Sequence, residues 1–96
     1  MKDYKYNQEK NKFLIKERNV DFSEIIKALN DERLVDVIDN PNIKKYPNQR
    51  IFLVKIKKHI FSVPFIEEET YIFLKTIYPS QKYTKKYLGK NYKLKK

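Results

Sequence analysis

The chain has 96 residues, of which 41% are hydrophobic and 15% aromatic, and a net charge of +10. That length fits one domain with a modest core. The lack of cysteine excludes disulfides and thiolate metal sites, the single histidine excludes an imidazole-rich zinc site, and no apolar run is long enough to cross a membrane as a helix.

Tyr4-Lys5-Tyr6 alternates and is expected to form a short edge strand. Asn7 is a candidate N-cap for a polar helix ending about Arg18, with Phe13 and Leu14 as its apolar contacts. Asp21 and Glu24 have the spacing of a capping box, and Val20 and Ile25 that of a hydrophobic staple. Phe22, Ile25, Ile26 and Leu29 then repeat as one buried helical face, ending near Asn30-Asp31.

From Leu34 the period changes to two. Leu34–Asp39 is a short β-rich run, and Asn40-Pro41-Asn42 and Tyr46-Pro47-Asn48 are loop chemistry. Phe52, Val54 and Ile56 share one face of the next run, and Lys57-Lys58 turns it into another bearing Phe61, Val63 and Phe65. Pro64 predicts an edge position or a bulge there. After Glu67-Glu68-Glu69, Tyr71–Tyr78 reads as one long strand, with Ile72, Leu74 and Thr76 on one side and Phe73, Lys75 and Ile77 on the other. Ser80 is a candidate N-cap for a final helix to Leu88, with Gly89 as its left-handed C-cap and residues 90–96 as a basic, flexible tail. The expectation is a single α+β domain over residues 1–89: two N-terminal helices, an antiparallel meander of three to four strands, and a C-terminal helix.

The charge is unevenly placed. Residues 1–43 carry −1, residues 44–74 carry +3, and residues 75–96 carry +8 with no acid at all. Such a one-sided field attracts polyanions, so a nucleic acid is the favoured partner over an anionic membrane or an acidic protein. No phosphate loop is possible with one glycine, His59 sits at a hairpin turn without a nucleophile signature, and Glu67–Glu69 reads as a charged turn. The chemistry left open is metal-free RNA cleavage by the 2′-hydroxyl, with cations stabilising the phosphorane and side chains moving protons. The candidates are Arg18, Arg50, Lys75, Tyr78, Lys82, Lys85 and Tyr87. Tyr78, Lys82, Tyr83, Lys85, Lys86 and Tyr87 also interleave rings with cations, as suits bases beside a backbone.

Five stretches in order complete a pattern: Glu9-Lys10-Asn11-Lys12, Arg18-Asn19-Val20-Asp21-Phe22-Ser23-Glu24, Asn48-Gln49-Arg50-Ile51-Phe52, Phe61-Ser62-Val63-Pro64-Phe65, and Lys75 through Tyr87. Together they resemble the BrnT-type toxins of type II toxin–antitoxin systems. Gln81 stands where that family often has Arg, and Arg18-Asn19 where it often has His-Gly. The resemblance implies a RelE-like fold and a cytoplasmic ribonuclease that cuts mRNA, on or off the ribosome, and blocks translation without a cofactor or metal. It also implies a ribbon-helix-helix antitoxin bound in a hetero-oligomer. Arg50 and Lys82 would hold the scissile phosphate, Tyr78 or Lys75 would assist proton transfer, and Arg18, Lys85, Lys86 and Tyr87 would bind RNA. The alternatives are a non-catalytic RNA- or DNA-binding module, an inactive toxin homologue, and a domain that meets an acidic protein.

Overall fold

The structure, a computed structural model, describes the backbone of residues 2–94 and the side chains of residues 2–89. Its elements are β1 (Asp3–Tyr6), α1 (Gln8–Arg18), α2 (Phe22–Asn30), β2 (Leu34–Asp39), β3 (Arg50–Ile56), β4 (His59–Glu67), β5 (Tyr71–Leu74), β6 (Tyr78–Pro79) and α3 (Gln81–Leu94). The domain is α+β, with helices at both ends of the chain and the strands between them. One six-stranded sheet has the order β1-β5-β4-β3-β2, with β6 also paired to β4. β2, β3, β4 and β5 form the expected antiparallel meander. β1 lies at the sheet edge and is parallel to β5.

Helix starts are held by the expected residues, with one change of partner. The Asn7 side chain accepts from the Lys10 N–H at 2.9 Å and caps α1. Asn19 closes that helix in the left-handed region, at φ 56, which Asn tolerates better than most residues. Asp21 Oδ1 accepts from the Ser23 amide at 2.8 Å, but no return bond from Glu24 is present among the described residues. Buried Asn11 takes that place from the preceding helix. Its Oδ1 accepts the Phe22 N–H at 2.9 Å, and its Nδ2 donates to Asp21 at 3.2 Å. The Lys-Asn and Val-Asp-Phe stretches therefore build the corner between α1 and α2. Leu14, Val20, Phe22, Ile25 and Ala28 are buried there, whereas Phe13 stays 47% exposed.

Alternation along β3 and β4 gives the sheet two apolar faces. Phe52, Val54, Ile56, Val63 and Phe65 meet α1 and α2 in the larger core. Ile51, Leu53 and Ile60 form a second, smaller core under Tyr83, Tyr87 and Leu88 of α3. Helices thus cover both faces, α3 only in part.

The run 71–78 is not one strand. Pro64 lies within the central strand β4, opposite Ile51, rather than at an edge. Its carbonyl accepts the Lys75 N–H at 2.8 Å, but it has no N–H to return to Lys75. At that point β5 ends, and pairing resumes at Ser62↔Tyr78 and Phe61↔Pro79. Three steps from Lys75 to Tyr78 oppose two from Pro64 to Ser62, so Lys75–Ile77 forms a bulge. The extra residue turns Ile77 into the larger core beside Leu74, on the side opposite to the one alternation predicts. α3 also departs from expectation. No glycine has positive φ, and the helix passes through Gly89 to Leu94 instead of stopping at Leu88.

Candidate nucleic-acid interface

The last helix is clamped to the sheet by two hydroxyls. The Ser80 N–H donates to the Ile60 carbonyl at 3.0 Å, and the Ile60 N–H donates to Thr84 Oγ1 at 2.9 Å. Thr84 Oγ1 also donates to the Ser80 carbonyl at 2.6 Å. Ser80 Oγ accepts from the Tyr83 N–H at 3.2 Å, the capping role expected of it. In the Ser80-Gln81-Lys82-Tyr83-Thr84 stretch, Ser80 and Thr84 are thus structural, and Lys82 between them is exposed. The first turn of α3 contains no acid, so Lys82 adds to the positive end of the helix dipole.

Three of the four residues expected at the scissile phosphate lie on the α3 side of the sheet. Lys75 is opposite Pro64, whose row continues to Ile51 beneath α3. Tyr78 is opposite Ser62, whose row continues to Leu53. Lys82 follows in the first turn of α3. Lys85 and Lys86 are exposed on the same helix, with Lys86 Nζ 5.4 Å from the Tyr87 ring. Tyr83 and Tyr87 stack at 6.3 Å and pack on the second core. The Tyr87 hydroxyl donates to Asp36 Oδ2 at 2.9 Å, which ties α3 to β2 and raises the Tyr87 pKa.

Arg50 and Arg18 are elsewhere. Arg50 pairs with Phe65 in the row that faces α1 and α2, with its guanidinium 5.9 Å from the Phe65 ring and 4.0 Å from Asp39. The sheet separates it from Lys75, Tyr78 and Lys82. Arg18 donates from Nη1 to the Ile77 carbonyl at 2.8 Å, satisfying an oxygen released by the bulge. Its role in the fold is therefore to fasten α1 to the β5–β6 junction. His59 is exposed at the start of β4, three residues along the strand from Ser62, the partner of Tyr78.

Tyr46 is an addition that sequence reasoning missed. The β2–β3 loop is braced by Asn40 Nδ2 donating to Gln49 Oε1 at 3.1 Å and by the Tyr46 N–H donating to the Asn42 carbonyl at 2.9 Å. So held, Tyr46 comes near enough to Tyr78 to affect its ionisation. Burial raises the Tyr78 pKa above the usual phenol value, and the nearby Tyr83 and Tyr46 raise it further. Tyr78 is thus a protonated hydrogen-bond donor at neutral pH. The only available signal was Lys45-Tyr46 itself, a cation over a ring at 5.4 Å.

Among the described residues, no three His, Cys, Asp or Glu side chains gather as a metal site, and no helix is long and apolar enough to cross a membrane. No protein-family model matches the chain, and no curated protein or solved structure is significantly similar to it.

Proposed function

We propose that this protein binds RNA across its α3 face and cuts it there as a toxin-type endoribonuclease. The observation that carries the binding is that exposed Lys75, Lys82, Lys85 and Lys86 lie, with Tyr78, on the α3 side of the sheet, in a segment without acids. Such an array suits phosphates, and the intervening tyrosines suit bases. The cleavage reading rests on the resemblance to BrnT-type toxins and on Lys75, Tyr78 and Lys82 sharing that face.

In the reaction, the 2′-hydroxyl gives its proton to solvent water as its oxygen attacks the adjacent phosphorus, and the bond to the 5′-oxygen breaks, leaving a 2′,3′-cyclic phosphate and, once that oxygen is protonated, a 5′-hydroxyl. Lys75 and Lys82 offset the charge on the phosphorane. Tyr78, protonated at neutral pH, donates a proton to the departing 5′-oxygen and regains one from solvent. The reading makes mRNA the substrate and a ribbon-helix-helix antitoxin the regulatory partner, both by resemblance.

The test measures binding and cutting of a labelled transcript by purified wild type, Tyr78→Phe, Lys82→Gln and Arg50→Ala. Expected are cutting by wild type and Arg50→Ala, a loss of about 100-fold or more in rate for Tyr78→Phe, and weaker binding for Lys82→Gln. Binding without cutting supports the non-catalytic RNA-binding module instead. Neither binding nor cutting by wild type defeats both.

A further inference from the structure

The part of the sheet that α3 leaves uncovered has its own chemistry. Strand register sets out the rows on that side. Ile38, Ile51, Pro64 and Lys75 form one row, Ile66, Phe73 and Lys5 the next, and Tyr71 with Asp3 the last. Ile38 and Ile51 pack under α3. Ile66, Phe73 and Tyr71 belong to neither core, and each keeps part of its surface open. Two aromatic rings thus stand on a partly open sheet face, beside the row that begins at the lysine-rich helix.

A lysine ammonium lies over each ring, from which a stacking base would displace it toward the adjoining phosphate. Lys5 Nζ lies 4.5 Å from the centre of the Tyr71 ring, and Lys75 Nζ lies 5.4 Å from that of Phe73. Tyr71 and Phe73 are two residues apart on one strand, about 7 Å, so each ring has room for its own base.

We propose that Phe73 and Tyr71 form a base-stacking platform for unpaired RNA, with Lys5 and Lys75 holding phosphates beside it. The proposal rests on the RNA reading of the α3 face and adds the form of the ligand. A duplex buries its base faces and offers these rings nothing, whereas a single strand can lay successive bases on them. The path runs from Lys82 past Tyr78 and Lys75 to Phe73 and then Tyr71. Asp3, beside Tyr71 in that row, repels phosphate and ends it there. An acidic peptide would use the lysines but leave the ring faces unused.

The chain has no tryptophan, so Phe73→Trp places a single reporter on the platform. Its emission is followed while oligouridine, oligoadenosine or a blunt RNA duplex is added, with binding measured separately by anisotropy of labelled RNA. Expected is quenching by both unpaired oligomers and none by the duplex. Tyr71→Leu with Phe73→Leu, checked for native circular dichroism, is expected to weaken unpaired-RNA binding on the order of tenfold or more and leave duplex binding as in wild type. Unchanged emission at saturating RNA, together with undiminished binding by the leucine variant, overturns the platform and leaves the α3 reading standing. No RNA binding by wild type overturns the α3 reading itself and the platform with it. A blue shift with phosphatidylglycerol vesicles, without quenching by RNA, assigns the face to a membrane and likewise overturns the proposal.

Discussion

Asp21 shows how much one side chain carries at a corner. Its carboxylate accepts from the Ser23 amide, the Ser23 hydroxyl and the Asn11 amide, bonds that hold its pKa below the ordinary value despite some burial. The sign follows from linkage. A carboxyl with a depressed folded pKa stabilises the fold above the unfolded value of 3.8, and that contribution is lost as pH falls through the lower folded value. Asp21→Ala is expected to cost about 1 kcal/mol near neutral pH in urea unfolding. Asp21→Asn keeps a capping oxygen and is expected to flatten the fall in stability as pH drops below the unfolded value of 3.8. Thr76 presents the opposite situation. Its hydroxyl in the bulge is shielded from solvent with no partner among the described residues. Thr76→Val removes that unmet group at nearly constant volume and is expected to stabilise the fold by about 1 kcal/mol, read as a raised urea midpoint.

Elements with a strong local period were legible from the amino acids. The α2 face, the paired alternation of β3 and β4, and the caps at Asn7 and Ser80 each depend on residues close in sequence. Pro64 signalled an edge or a bulge, but the strand that carries the bulge was not legible, because its cause is non-local. Tyr71–Tyr78 alternates without interruption, and the missing N–H belongs to Pro64 on another strand. The same one-residue parity decides Arg50, whose pairing with Phe65 puts it on the α1–α2 side, away from Lys75 and Tyr78. Gly89 misled for a different reason: glycine often ends helices, but here it is simply inside one. A Cβ at Gly89 would meet nothing within 4 Å. Gly89→Ala is therefore expected to stabilise α3 by about 0.5–1 kcal/mol, whereas a left-handed C-cap would be destabilised by the same change. Thr84→Val strips the Ile60 amide of its acceptor and is expected to cost about 1–3 kcal/mol, with faster hydrogen exchange at Ile60.

At the scale of the molecule, charge rather than shape governs the encounter with a polyanion. Exposed Lys75, Lys82, Lys85 and Lys86 give the α3 side a positive field. If Lys75, Lys82, Lys85 and Lys86 each meet a phosphate, the logarithm of the RNA affinity should fall with the logarithm of salt at a slope of about 3. Replacing Lys82 and Lys85 by Gln should lower that slope by about 1.4, and Arg50→Ala should leave it unchanged. Titrations at several potassium chloride concentrations measure all three. The residue types were readable from composition, but only the fold assigns them to one side, because α3 must be clamped by Ser80 and Thr84 before its lysines share a face with Lys75.

The parallel pairing of β1 with β5 also bears on how the protein is made. Lys5 finds Phe73, and Lys2 bonds Glu67 at 2.8 Å, only after the intervening helices and strands have been synthesised. Such long-range contacts form late and slow folding. On a translating ribosome, α1 and α2 emerge early but have no complete sheet to cover, so a nascent chain passes through a stage with its apolar helix faces open. The stacking row of Lys5 and Phe73 is absent until that stage ends. The proposed platform therefore forms only with the final closure of the sheet, and a chain interrupted before Phe73 lacks it.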